Sequence, residues 1–559
     1  MINRLKYKKF FVLCFAVSII YIFFACIKSG YFIDEIYSYG LANSYYKTDI
    51  SEYDIYDRII GGEVFYDYLT VNNGEKFNYS SVYSNQIRDV HPPLYYMLLH
   101  TVCSFTPGRL LKSNGILLNF IFMYICLFFL YKLCLKIFKK EEYCEYLSLA
   151  AAAVYAFSCF AVSTVIYIRM YMMLTMLTVI YAYCHVLLVD EKKYIRLFLF
   201  SGFILMLGFL TQYYFIIPAF FISLSYFIYI LAKKKFKIAA VYTVIMLVAL
   251  MLSYAVFPYF VSQLRGDNNT YMQNLSSDLS RGILHRLLYN FISFISNINY
   301  GMFGNMKSAA LVAYIVISCF AFFEAKIYGS RGKTDKVKLK TSDLFISIAM
   351  AVTGLTCIIL FAVIWVPASR YYYNIVPFIS VIFTYAFYKY FTFISGIGKK
   401  KYFICSLVLY LFFSCAGYFI SIYGSFSTAS GFNTDLKTVY PVEYIYLQHR
   451  YVDKFFDDSP DTDCIFITDY KNAAVTQDIY ELMQCSRVYI CSEERIEEAV
   501  KMLSAEKDSI IIIDVGSGLW GSRYNDSEIL GRLKDYGFKS RALLYEKELT
   551  KAYIVTGSK

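Results

Sequence analysis

The chain has 559 residues, of which 58% are hydrophobic, 20% aromatic and 17% charged. The charged share falls short of the roughly 25% of ordinary soluble domains, and apolar runs of about 20 residues, each long enough to cross a bilayer as a helix, recur through the first three quarters of the sequence. The net charge of +12 does not point to nucleic acid, because Lys and Arg gather in short gaps between apolar runs, the mark of cytoplasmic loops.

The first apolar run, Phe10–Cys26, has a basic start like a signal peptide, but no small-residue cleavage site follows, so it reads as a retained helix. Span candidates follow at 114–136, 146–167, 170–189, 197–212, 214–232, 238–260, 307–326, 344–366, 372–394 and 402–423. The basic clusters are Lys6/Lys8/Lys9, Lys136/Lys139/Lys140, Lys192/Lys193/Arg196, Lys233–Lys237, Lys326–Lys340 and Lys399–Lys401. If all face the cytoplasm, an even number of crossings separates neighbours, the N-terminus is cytoplasmic, and the C-terminal part lies outside. The run Pro93–Phe105 is too short to span comfortably and is read as re-entrant or juxtamembrane; counting it as a span would invert everything after it.

Five segments then share the outer face: the long polar loop Ser29–Val90, a turn carrying Arg169, a tight turn at Gln212, the loop Ser262–Asn305, and a short turn carrying Arg370. After Tyr423 the apolar runs shorten and charge rises. "CIFITD" (Cys464–Asp469), "RVYIC" (Arg487–Cys491) and "SIIIIDV" (Ser509–Val515) read as buried strands, alternating with helical patterns at Asn472–Gln484, Ser492–Ala505 and Ser527–Tyr536. A closing hairpin follows in "RALLYEKELTKAYIVTG". This alternation predicts a small α/β domain with a mostly parallel sheet. The chain thus divides into a membrane part, 1–425, and a C-terminal domain, 426–559. No P-loop is present, and "DVGSG" (Asp514–Gly518) reads as a glycine turn after a strand. The 15 cysteines form no CxxC pair and no His/Cys cluster, so single thiols are expected rather than disulfides or a zinc site.

Against this frame a few polar residues stand out. "GYFIDEIYSYG" (Gly30–Gly40) places Asp34 and Glu35 where the chain leaves the first span. A pair of carboxylates there is by default a solvated loop pair. "RDVHPPLYYMLLH" (Arg88–His100) lowers that default, because Pro92 and Pro93 suit the start of a helix and would fix His91 at the membrane surface. Arg169 in "YIRMYMM" and Arg370 in "ASRYYYNIVPF" lie on the same face, each followed closely by tyrosine, Tyr171 and Tyr371. An arginine at a helix end often snorkels to headgroups, but guanidinium also binds phosphate through charge-assisted, bidentate contacts. "LTQYYF" adds Gln212 on that side.

The order of an acidic pair after the first helix, "HPPLYY" (His91–Tyr96), "RMY" (Arg169–Tyr171) and "RYYYNIVPF" (Arg370–Phe378) resembles the membrane glycosyltransferases of family 39 over roughly Phe10–Ile420. That group includes the protein O-mannosyltransferases and is similar to the aminoarabinose transferases that modify lipid A. The resemblance implies a GT-C-type bundle of about 11–13 transmembrane helices, a polyprenyl-phosphate sugar donor carrying a hexose or pentose, and inverting transfer at the outer face of the plasma membrane. It implies that the acidic residue after the first helix, Asp34, is the general base; spacing alone leaves Asp34 and Glu35 interchangeable. His91, Arg169, Tyr171, Gln212, Arg370 and Tyr371 would then hold the donor phosphate and substrate. A lipid phosphate departs readily, so no cofactor is required, although some relatives by fold use a divalent cation. The acceptor hydroxyl could belong to a lipid, a cell-wall polymer or a protein. The competing readings are a transporter or flippase of polyprenyl-linked glycans, a polysaccharide polymerase or ligase, and a receptor. Scarce midspan charge and the absence of an internal repeat weigh against a transporter.

Overall fold

The computed structural model describes residues 7–141, 143–190, 194–265, 283–304, 341–363, 368–394, 399–431, 441–447, 449–469, 472–504, 506–516 and 524–557. Among the described residues six helices are long and apolar enough to cross a membrane: Lys8–Ile27 (α1), Lys112–Ile137, Tyr171–Val189, Tyr194–Thr211, Tyr213–Ala232 and Phe236–Val256. Thr341–Val363, Val376–Ile394 and Lys399–Gly431 are further long helices. This is the architecture of a polytopic membrane protein. α1 buries Phe10, Val17, Tyr21 and Phe24 and leaves Phe11, Phe15 and Ile19 exposed, as expected of a peripheral helix facing lipid. Tyr171–Val189 is buried over most of its length and forms the centre of the bundle. The candidate span 307–326 and the cluster Lys326–Lys340 lie outside the described residues.

The expected span 146–167 is not one helix. Cys144–Ala156 and Cys159–Ile166 meet at a bend of 58°. Ser158 makes the break, since its Oγ accepts from the Ala161 N–H at 3.1 Å and restarts the helix. The bend delivers the Tyr167–Arg169 turn, wholly buried, into the interior. The loop 29–90 is also folded. It contains the helices Ile33–Asn43 (α2), Glu63–Leu69 and Tyr79–Arg88. Leu94–Cys103 begins directly after Pro93 as a ten-residue helix packed on α2.

The sheet has the order β1-β3-β2-β4-β6-β5, with β1 Ile59–Ile60, β2 Asp463–Ile467, β3 Arg487–Cys491, β4 Ser509–Asp514, β5 Phe538–Glu546 and β6 Thr550–Gly557. β2 to β6 lie where the sequence pattern puts strands, whereas β1 is not anticipated, and the sheet is mixed rather than mostly parallel. Only β2–β3 and β2–β4 are parallel; β1–β3, β4–β6 and β5–β6 are antiparallel. The closing hairpin folds back onto β4, and β1 arrives from the loop 29–90. Alternate residues of the central strands face opposite ways. Cys464, Phe466, Val488, Ile490, Ile510 and Ile512 join the core continuous with the bundle; Ile465, Ile467, Cys491, Ile511 and Ile513 form a second core. The helix Asn472–Leu482 (α3) packs against α2 through Ala474, Val475, Ile479 and Leu482. Gly30 is required at this junction, because a β-carbon there would lie 2.3 Å from the His449 ring.

Candidate active site

α2 begins at the acidic pair. Phe32 is extended, Asp34 and Glu35 occupy the first turn, and acidic side chains suit the positive end of a helix. The pair therefore sits on a helix, not in an irregular loop, and neighbouring positions point in different directions. Glu35 points inward. Its Oε2 accepts from Lys28 Nζ at 3.0 Å and from the Phe32 N–H at 2.8 Å, and its Oε1 accepts from the Ile168 N–H at 2.8 Å. Both Glu35 and Lys28 side chains have no exposure at all. Burial pushes the Lys28 ammonium down, against the opposing pull of Glu35.

Asp34 points the other way, with 22% of its side chain exposed. Its Oδ2 accepts from the Tyr167 hydroxyl at 2.6 Å and lies 3.7 Å from Arg370 Nε. Burial raises the carboxyl, but the Arg370 charge, then Arg169 and the Tyr167 hydroxyl, outweigh it and hold Asp34 below the ordinary carboxylate value. Arg370 is 23% exposed and lies over the Phe32 and Tyr371 rings, 5.7 and 5.3 Å from their centres. Arg169 is buried, and its Nη1 donates to the Asp34 carbonyl at 3.0 Å and Ser38 Oγ at 3.1 Å. Its Nε has no partner among the described residues. Tyr171 stacks on Tyr167 at 5.8 Å.

His91 stands on the wall of this cluster. Its Nδ1 pairs with Asp89 Oδ2 at 2.9 Å, and its own N–H donates to the same oxygen at 3.2 Å. Burial raises the Asp89 carboxyl, but His91 leads the opposing interactions and Asp89 is held low. Gln212 does not join the group. Its side-chain oxygen accepts from the Tyr213 N–H at 2.8 Å and caps its own turn. That turn is nonetheless close by, with Tyr214 and Tyr371 ring centres 5.5 Å apart.

Several participants escaped the sequence reading. Tyr167 was within a quoted motif, but one tyrosine among 58 carries no signal. Glu443 and Tyr444 follow the last long helix in a stretch with no motif. Glu443 accepts from Ser369 Oγ at 2.5 Å and Tyr373 OH at 2.8 Å; burial, the leading effect, raises its carboxyl despite those bonds. Tyr444 stacks on Tyr167 with centres 3.9 Å apart.

Among the described residues no group of three or more His, Cys, Asp or Glu is arranged to hold a metal ion. Two apolar cavities lie away from the cluster: one of about 70 Å³ beside His185 and Tyr226, and one of about 380 Å³ beside Lys9, Tyr146 and Tyr388. The cysteines whose side chains are described are free thiols.

No family model and no curated protein sequence matches the chain. Among solved structures it is similar to ArnT from Cupriavidus metallidurans bound to undecaprenyl phosphate, at 10% identity and TM-score 0.46, covering 98% of each chain. The apo state of that protein gives 9% identity and TM-score 0.41, again covering 98% of each. The apo Archaeoglobus fulgidus oligosaccharyltransferase gives 9% identity and TM-score 0.41, covering 80% of this chain and 66% of that one.

Proposed function

We propose that the protein is a membrane glycosyltransferase of the GT-C type, which moves a sugar from a polyprenyl-phosphate donor to an acceptor hydroxyl with inversion at the outer face of the membrane. The observation that carries this reading is the pairing of Asp34 and Arg370, one carboxylate and one guanidinium 3.7 Å apart, each about one-fifth exposed, at the end of a membrane bundle. The reaction needs a base for an incoming hydroxyl and a cation for a departing phosphate, and this pair offers both.

In this reading the acceptor oxygen attacks the anomeric carbon while its proton passes to Asp34. The bond from that carbon to the phosphate oxygen breaks, and its electron pair leaves with the lipid phosphate. Arg370 meets the growing charge. In the resting state Arg370 is the largest influence lowering Asp34. A donor phosphate that draws Arg370 toward itself leaves Asp34 more basic when a base is needed. Arg169 acts at one remove by tying the Asp34 carbonyl and Ser38 together at the start of α2. Glu35 is the anchor of that turn, held by Lys28 and two backbone N–H groups. His91, oriented by Asp89 and near enough for its charge to lower Asp34, suits a hydroxyl of the sugar or the acceptor. The parity of the basic clusters supports placing this end of the bundle, and the C-terminal domain, outside the cytoplasm.

The test is to incubate purified protein in detergent or vesicles with a panel of polyprenyl-phosphate sugars and follow donor consumption. Consumption of one donor with release of polyprenyl phosphate supports the reading. Movement of an intact lipid-linked glycan across vesicles, with no consumption, favours a flippase instead.

A further inference from the structure

The short segment Pro441–Leu447 follows the last long helix and precedes β2, yet Glu443 and Tyr444 reach the candidate site. Tyr444 and Tyr446 adopt positive φ angles of 67° and 54°. Side chains with a β-carbon seldom take that conformation, and where it persists the surroundings enforce it. Those surroundings can be named. The Tyr444 carbonyl accepts from Lys28 Nζ at 2.7 Å, the Ile445 carbonyl from the Ser29 N–H at 3.0 Å, and the Tyr446 carbonyl from the Ser29 hydroxyl. The Tyr444 ring lies flat on Tyr167, the donor to Asp34. The Val442 N–H donates to Ser421 Oγ at 2.6 Å, and the Glu443 N–H to Ser163 Oγ at 3.0 Å.

The Glu443 carboxylate is placed differently from the rest. It accepts from Ser369 and Tyr373, the residues on either side of Arg370 in the Ser369–Ile375 turn. The carboxylate thus grips both ends of the stretch that presents Arg370, without touching the guanidinium in any contact described above. We propose that Glu443 is a positioning residue, which clamps the Ser369–Tyr373 turn so that Arg370 stays aimed at Asp34 and at the phosphate of a bound donor. This rests on the reading of Arg370 as the phosphate partner.

The experiment is a double-mutant cycle read by binding of undecaprenyl phosphate to the full-length protein in detergent, with thermal midpoints recorded for each variant. Glu443→Ala removes two charge-assisted bonds from the turn and should weaken binding about 10-fold, about what the loss of one net bond to a charged group amounts to. Glu443→Gln keeps an oxygen that both hydroxyls can reach, so binding should recover to within about threefold of the starting protein. In an Arg370→Ala background the Glu443→Ala loss should vanish, because the clamp has nothing left to aim. If Glu443→Ala does not fold, Ser369→Ala removes one of the two donors and enters the same cycle. Equal losses with and without Arg370, or no recovery in Glu443→Gln, would overturn the clamp. Failure of the unmutated protein to bind the lipid phosphate would instead sink the functional reading, and the clamp with it.

Discussion

Removing Glu35 should cost stability before it costs chemistry. In Glu35→Ala the Lys28 ammonium stays in a fully buried place with the Tyr444 carbonyl and the Tyr446 ring but no counter-charge, and the Phe32 and Ile168 N–H groups lose their acceptor. Breaking a buried ion pair from one side costs about 3–5 kcal/mol, and each orphaned buried N–H adds about 1–3 kcal/mol unless water reaches it. The total has a ceiling, because Lys28, already pushed down by burial, can shed its proton. That ceiling gives the variant a pH signature. A lysine whose folded value lies below its unfolded value of 10.5 leaves the unfolded chain holding more protons between the two. Stability therefore rises with pH through that window. The assay is the thermal midpoint of the purified variant in detergent across alkaline pH, beside Lys28→Met/Glu35→Gln. The single variant should melt well below the parent, recover as pH rises, and be surpassed by the double variant, in which no charge is left unpaired. A Glu35→Ala protein as stable as the parent would refute the buried-anchor argument. A stable double variant with no turnover, beside an active Asp34→Asn, would make Glu35 the base.

Three further outcomes follow from the same geometry. In Arg370→Ala the largest influence lowering Asp34 is gone while burial still raises it, so the acid limb of kcat/KM should move to higher pH; Arg169, Tyr167 and His91 remain to oppose the shift, and an unmoved limb would separate Asp34 from that titration. Activity should survive exhaustive chelation, and loss restored by magnesium or manganese would assign a metal to the carboxylates. A reporter fused after Lys559 should be active only outside the cytoplasm, and a cytoplasmic signal would mean that the crossing count fails, most simply at Pro93–Phe105.

The helices of the membrane part and the strands of the sheet were legible because both carry a hydrophobic period or run that few other folds permit. Arg487–Cys491 was read to the residue. What failed were features set by partners distant in the chain. The bend at Phe157–Ser158 hides inside an unbroken apolar run, where a serine cap looks like any other serine. The mixed sheet depends on where the last hairpin lands and on two residues, Ile59 and Ile60, too few to read as a strand. At the candidate site, the charged residues were legible because isolated charges at span ends fall on one face once the basic clusters set the topology. Asp34, Arg169 and Arg370 do come together, whereas Gln212 is spent on its own turn. That Glu35 points inward and Asp34 outward was beyond reach, since it turns on Lys28 and the Ile168 backbone, brought in by tertiary folding. Glu443 and Tyr444 were invisible for the same reason.

The most direct test of the account is a single-turnover comparison of the parent and Asp34→Asn with a polyprenyl-phosphate sugar that the parent consumes. Asparagine keeps the shape of the side chain but cannot take the acceptor's proton. The account predicts that donor binding is largely kept while the rate of sugar transfer falls by about 10²-fold or more. A near-normal rate in Asp34→Asn would contradict it.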